Sequence, residues 1–356
     1  MSLVERIWHG DGLGAVAARA LLTPAAALFS AVVRVRNGRF DRGIGVAPVS
    51  LPVLSVGNLT VGGTGKTPLA AWCTQALQQA GARPAVVLRG YGDDEWRVHA
   101  LLSPDAPVVT DRDRVRGVDR ARAEGADCVV LDDGFQHRRA WRDADVVLVS
   151  ADAWDGSVRL LPAGPFREPL AALRRATVVV VTAKAASRAQ VEAMCAAVRD
   201  AAPAVPLAVV GLVPDRLHQV QAGEVMQRTG GRSAPIGWLS GRSVLAVTAI
   251  ARPEPFEAAL RTAGAVVVRR RFADHHDYAA ADVAALVAAV PPSGVAVCTL
   301  KDAVKLAPLW PRAAVPLWYV SQTIVVHHGA EALAGAVQRI LAAREASLRT
   351  TRPTAG

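Results

Sequence analysis

Val53-Leu-Ser-Val-Gly-Asn-Leu-Thr-Val-Gly-Gly-Thr-Gly-Lys-Thr-Pro68 opens as a short apolar run, crosses three glycines at Gly62, Gly63 and Gly65, and meets Lys66-Thr67 ahead of an Ala- and Leu-rich stretch. The order is strand, loop, helix. Glycines let backbone N–H groups curl around phosphate oxygens, a lysine adds a point charge, and a hydroxyl after it can ligate Mg²⁺. The loop from Thr60 through Val61, Gly62, Gly63, Thr64, Gly65 and Lys66 to Thr67 therefore reads as a phosphate-binding loop for a nucleoside triphosphate. Thr60 stands where the general consensus has its first glycine. Gly62 and Gly63 keep the loop supple in its place.

Around this loop, Val-rich runs alternate with Ala-rich ones. Ala85–Arg89, Cys128–Asp132, Asp145–Val149 and Thr177–Thr182 read as buried parallel strands, and Pro68–Ala80, Val115–Ala123 and Arg188–Asp200 as helices. This rhythm implies a P-loop NTPase-type doubly wound parallel α/β sheet, with the nucleotide at the carboxyl ends of the strands. The pattern fades into Pro, Gly and Gln before a second, smaller α/β unit begins. Its strands are expected near Val244–Thr248, Ala265–Arg269 and Val295–Thr299, and its helices near Glu254–Thr262 and Ala280–Ala289. The resulting division is an N-terminal segment 1–42, a P-loop domain 43–210, a linker 211–236, a second α/β domain 237–326 and a C-terminal helix and tail 327–356, frayed after Ala343.

The 356 residues are half apolar, enough to bury two cores, which excludes a disordered chain. Lys and Arg outnumber Asp and Glu by 41 to 31, so anionic partners are favoured. No aromatic-basic platform or groove-reading helix accompanies that charge, which argues against nucleic acid. No protein partner is evident. Four scattered cysteines without a C-x-x-C pair suggest neither a zinc site nor a disulfide framework, and point to reduced thiols in the cytosol. Ala20–Val33 is apolar, interrupted by Pro24 and flanked by Arg19, Arg34, Arg36, Arg39 and Arg42. It is shorter than the roughly twenty residues of a spanning helix. An interfacial helix with its arginines on lipid phosphates and a core helix with a basic end are both compatible with it.

Two acidic clusters follow strands at the catalytic edge. Asp132 and Asp133 end an apolar strand, where a P-loop enzyme holds Mg²⁺, although paired aspartates also start turns. Which of the two is nearer the ion stays open. Asp93-Asp94-Glu95 lies on a loop after the preceding strand, where a carboxylate could take a proton from an attacking hydroxyl or simply be solvated.

Together, Val56–Pro68, Arg89-Gly-Tyr-Gly92, Asp132-Asp-Gly-Phe-Gln-His137, Leu161-Pro-Ala-Gly-Pro-Phe-Arg-Glu168, Asp274-His275 and Thr299-Leu-Lys-Asp-Ala-Val-Lys305 resemble the tetraacyldisaccharide 4′-kinase family. The resemblance implies a kinase that uses ATP and Mg²⁺ to phosphorylate the 4′ hydroxyl of an acylated disaccharide 1-phosphate, the lipid A precursor. It also implies a peripheral or monotopic position on the anionic cytoplasmic face of the inner membrane. Asp132 and Asp133 match the family's Walker B acids. Its Gly-Asp-Glu motif maps to Asp93-Asp94-Glu95, here fused to Gly-Tyr-Gly with Asp93 replacing the glycine, so Asp94 is the expected base with Asp93 in reserve. A partner histidine matches His275, though His276 beside it has the same chemistry. Arg167 could neutralise transferring phosphoryl oxygens and Glu168 could support the metal. Lys301, Asp302 and Lys305 match a signature without an assigned role beyond shaping domain closure. The alternative is a deviant P-loop switch ATPase, whose signature lysine would stand where this chain has Val61.

Overall fold

The computed structural model describes residues 3–90, 94–223, 226 and 231–351. Along the chain run α1 (Leu3–His9), α2 (Leu13–Asp41), β1 (Val53–Asn58), α3 (Lys66–Gln79), β2 (Pro84–Leu88), α4 (Asp94–Leu102), β3 (Val108–Thr110) and α5 (Arg114–Ala123). Then come β4 (Cys128–Asp132), β5 (Ala144–Ser150), β6 (Val178–Ala183), α6 (Arg188–Ala201), β7 (Leu207–Gln219), β8 (Ser233–Pro235), β9 (Ser243–Thr248) and α7 (Glu254–Thr262). Last are β10 (Val266–Arg271), α8 (Ala280–Ala288), β11 (Val295–Thr299), α9 (Leu300–Leu306), β12 (Leu317–His328) and α10 (Ala330–Thr351). The chain divides into two compact units: Met1–Tyr91, Asp105–Gly211 and Ile324–Gly356 form the first, Gly92–Pro104 and Leu212–Thr323 the second.

In the first unit the strand order is β7-β6-β5-β1-β4-β2-β3, with every adjacent pair parallel. Strand side chains alternate between faces, and both faces here are apolar. Leu54, Val56, Val130, Val146, Leu148 and Val180 pack under α3 and α10. Their odd-numbered neighbours face the opposite way: Val53 and Val129 pack under α5, Val147 and Val179 under α6. The register pairs Val56 with Asp132, which sets the tip of β4 beside the strand that feeds the loop.

The second unit has the order β10-β9-β11-β12-β7, with β8 antiparallel to β7. Leu245, Val247, Ala296 and Cys298 pack with α8 and α9 residues and Trp310 on one face. Val244, Ala246, Val297 and Val320 pack with Leu260 of α7 on the other. Helix α4 joins this unit through Val98 and Leu101 against Val304 of α9.

Four sequence expectations change. The segment read as a linker, 211–236, contains most of β7 and all of β8. Leu212 and Leu217 are buried there while Val213, Asp215 and Arg216 are exposed, a strand buried at intervals whose pattern Pro214 and the glycines obscure. Pro24 does not break α2, which runs 29 residues through it. Its Ala- and Leu-rich flanks have the highest helix propensities and offset the lost hydrogen bond. The tail is not frayed at Ala343, because α10 continues to Thr351. Asp94 begins a helix rather than sitting on a loop, and residues 92–104 belong to the second unit.

Helix α2 is also no core helix. Val33 is its one buried side chain, while Leu13, Leu21, Leu28 and Val35 are exposed. By length and composition it is apolar enough to cross a membrane. Arg19 donates to the Ile7 and Gly10 carbonyls, both at 2.7 Å, and Arg36 to that of Gln136, so both arginines are tied to backbone carbonyls of the chain.

Candidate active site

The loop after β1 takes its shape from Gly62 and Gly65, at φ 112° and 94°, a left-handed region that only glycine enters freely. Its flanks are fixed by hydrogen bonds. Thr60 bridges Phe166, Val61 N–H donates to Pro165 O at 2.8 Å, and Arg167 N–H donates to Leu59 O at 2.7 Å. Asn58 Nδ2 donates to Thr64 Oγ1 at 2.9 Å, Thr182 Oγ1 to Thr64 O at 2.9 Å, and Lys184 Nζ to Gly63 O at 2.8 Å. Helix α3 then starts at Lys66 with no side-chain cap and no acidic residue in its first turn. Its leading N–H groups have no intrahelical partner, so this end favours an anion.

Walker acids meet this loop from β4. Thr67 Oγ1 donates to Asp132 Oδ2 at 3.2 Å. Asp133 turns aside at φ 54° and its two oxygens accept from Arg167 Nη1 at 3.1 and 2.9 Å, with Lys66 Nζ 3.5 Å away. Burial pushes the Asp133 carboxyl up, but Lys66 and Arg167 outweigh it and hold the group below its ordinary range. The two aspartates thus divide: Asp132 faces the hydroxyl, Asp133 the cations. Gly57 permits this approach, since a Cβ there would lie 2.5 Å from Phe135 Cβ and 2.7 Å from Phe135 N.

Arg167 is the hub of the arrangement. It also donates to Asn58 Oδ1 at 3.0 Å and to Gln136 Oε1 at 3.2 Å, while Lys66 Nζ reaches the same Asn58 oxygen at 3.2 Å. Asn58 and Gln136 therefore aim the two cations, a role their sequence signal, a polar residue inside an apolar motif, did not specify. Glu168 lies in the same network. It is buried, with Oε1 accepting from Gln136 at 3.1 Å and Oε2 from Arg175 at 2.9 Å and Asn37 at 2.6 Å. A carboxylate committed to these donors orients Gln136 and anchors α2. His137, in the same motif, is pushed down to about 4 by burial and by the cations Arg114 and Arg89, so it is neutral near pH 7.

The second unit carries a separate acid–imidazole pair. Asp94 is buried at the start of α4, with His275 Nδ1 3.7 Å and Lys305 Nζ 3.8 Å from its Oδ2, both ion-pair rather than hydrogen-bond distances. Burial pushes the Asp94 carboxyl up, but His275, Lys305 and Lys301 outweigh it and leave it lowered. Asp94 in turn raises His275 against the opposing effect of burial. His276 is excluded from this pair: its Nε2 lies 3.0 Å from Asp282 Oδ2 and its ring stacks on Phe272. Asp93, the reserve candidate, lies outside the described residues. Lys305, which sequence reading left without a role, is thus part of the cluster.

Residues 18–342 match the family described as tetraacyldisaccharide-1-P 4′-kinase. A tetraacyldisaccharide 4′-kinase of Anaeromyxobacter dehalogenans (strain 2CP-C) is 39% identical over 350 residues, covering 88% of this chain and 89% of its own. One from Syntrophus aciditrophicus (strain SB) is 36% identical over 333 residues, covering 85% and 88%. The crystal structure of an "apo" form of LpxK from Aquifex aeolicus in complex with ATP has a TM-score of 0.69 and 25% identity, covering 90% of this chain and 99% of that one. A pattern matched from α2 to α10, with relatives this similar over most of their length, places the chain in the tetraacyldisaccharide-1-P 4′-kinase family.

Proposed function

We propose that the chain transfers the γ-phosphoryl group of ATP to the 4′ hydroxyl of an acylated disaccharide 1-phosphate, the lipid A precursor, with Mg²⁺, at the cytoplasmic face of the inner membrane. The observation that carries this is the convergence of Lys66, Thr67, Asp132, Asp133 and Arg167 on the glycine loop within the first unit. ATP in the Aquifex aeolicus relative supports the choice of nucleotide. The switch-ATPase alternative draws no comparable support.

Each residue has a chemical task. The loop N–H groups from Gly62 to Thr67 cradle the β- and γ-phosphates, and Lys66 leaves Asp133 for their negative charge. Arg167, aimed by Asn58 and Gln136, neutralises charge that grows on the phosphoryl oxygens during transfer. Asp94, the base, accepts the sugar hydroxyl's proton, and His275 orients it and shares the charge. Thr67 and Asp132 are hard oxygen donors 3.2 Å apart, a set that fits Mg²⁺. Held by Thr67 and Asp132, Mg²⁺ would draw off negative charge that develops during transfer.

Helix α2 supports the membrane reading through its exposed leucines and valines and the exposed Arg34, Arg39 and Arg42, suited to an anionic surface. The deciding experiment is transfer from γ-labelled ATP to purified disaccharide 1-phosphate. Label on the 4′ oxygen is expected from the wild type and a loss on the order of 10²-fold or more from Asp94→Ala, with ATP affinity nearly intact. ATP hydrolysis without sugar phosphate would favour the switch ATPase.

A further inference from the structure

The Thr299–Lys305 signature has no task in the reaction above. Its geometry supplies one. Thr299 caps α9, and Asp302 is buried behind it, accepting from Ala249 N at 3.0 Å, Tyr278 OH at 2.9 Å and Thr299 Oγ1 at 2.7 Å. One carboxylate thus ties the chain after β9, the end of the 272–278 segment and the start of α9 to one another. One turn along α9, Lys305 Nζ donates to His275 O at 3.1 Å, His276 O at 3.2 Å and Asp277 Oδ1 at 3.4 Å, beside the Asp94 carboxylate. His275 has φ 58°, a left-handed conformation that costs a residue with a Cβ and persists only when its surroundings impose it. An ammonium bonded to consecutive carbonyls helps to impose it, together with His275 N–H donating to Ala249 O at 3.1 Å and His276 N–H to Ala273 O at 3.1 Å.

We infer that Lys305 is a positioning residue for phosphoryl transfer, its ammonium clamping the His275–His276 backbone so that the imidazole is presented to Asp94. Asp302 anchors the frame and Lys305 sets the final geometry, which gives the signature two distinct roles. This rests on Asp94 being the base. The charged and titratable groups around Asp94 among the described residues are His275, Asp274 and Asp277 on the 272–278 segment, Lys301 and Lys305 on α9, and Glu95 beside it on α4. Removing the Lys305 cation takes away one of the influences that lower the Asp94 carboxyl, so its proton affinity rises.

The test compares wild type, Lys305→Met, Lys305→Arg and Asp94→Asn by pH–rate profiles of disaccharide phosphorylation at saturating ATP. Lys305→Met is expected to lower kcat about 10- to 100-fold with little change in the KM for ATP. Its acidic limb should move upward by about one pH unit. Lys305→Arg should return the limb to its wild-type position and recover part of kcat. Wild-type kcat in Lys305→Met, or a loss with an unmoved limb that Lys305→Arg does not relieve, overturns the assignment. If Lys305→Met does not fold, Lys305→Gln carries the same expectations. Full transfer by Asp94→Asn would instead remove the base itself, a failure distinct from an unmoved limb when Asp94→Asn is inactive.

Discussion

Gly57→Ala adds one methyl group where the structure has no room for it. The new Cβ would stand 2.5 Å from Phe135 Cβ, 2.7 Å from Phe135 N and 3.1 Å from Phe135 Cα. Carbon atoms reach their optimum near about 3.5–4.0 Å, so β1 and the turn after β4 must separate by roughly 1 Å. Phe135 is fully buried and the contacts are to its backbone and Cβ, so no rotamer change relieves them. Overpacking of this kind costs about 1–3 kcal/mol, against a typical stability of about 5–15 kcal/mol, and the variant should fold. The same displacement carries Asp132 and Asp133 away from Thr67 and Lys66, and a misplacement of about 1 Å near reacting groups can cost about 10²-fold in rate. Function should therefore fail while the fold persists. Urea unfolding and label transfer from ATP, measured on one preparation, read the two effects. Adding Phe135→Leu should rescue neither, since leucine keeps the offending N and Cβ. Wild-type stability together with wild-type turnover in Gly57→Ala would refute the steric coupling of β1 to the Walker acids.

Lys66→Ala should fold and lose at least about two orders of magnitude in turnover at saturating ATP and Mg²⁺; near-normal turnover would sink the phosphate-loop reading. Deleting residues 1–34 removes most of the exposed apolar side chains of α2 but spares Asn37, so the protein should keep its kinase core while losing binding to anionic liposomes; undiminished binding would place the anchor elsewhere. Asp94 is lowered from 3.8 and His275 raised from 6.5, so the stability that Asp94 gains is lost as pH falls through its folded value, and that of His275 as pH rises through its own. The Tm difference between wild type and His275→Asn should therefore be greatest between about pH 4 and 6.5 and shrink on both sides; a difference that grows above pH 7.5 would contradict the ion pair.

What could be read from the chain beforehand followed from local physics. The Val-rich strands, the glycine loop and the Asp132-Asp133 tip are coded by neighbours in sequence, and they stand where those patterns put them. Contacts made at a distance were less visible. Arg167 and Glu168 are adjacent, yet one reaches Asp133 and the other turns to Arg175 and Asn37, a divergence fixed by the Thr60–Phe166 bridge and by burial. The motif alone could not choose between His275 and His276; the stacking of Phe272 and the reach of Asp282 do. The second half of β7 escaped notice because Leu217 is its one buried apolar residue after Pro214, a signal too weak to outweigh the glycines that follow.

Leu333, Ala336, Val337 and Ile340 of α10 share one buried cluster with Leu69, Ala70, Cys73 and Leu77 of the helix that begins at Lys66. On the ribosome those two helices are made far apart in time, with the whole of residues 212–323 synthesised between them. The face of the sheet that α3 and α10 share therefore stays only partly covered, by α3, until most of the chain has been translated. Interrupted domains with such non-local closure fold slowly and expose apolar surface while they wait. Stalled or truncated nascent chains of this protein should consequently be chaperone clients that bind no nucleotide, and competence for ATP should appear only once α10 has emerged.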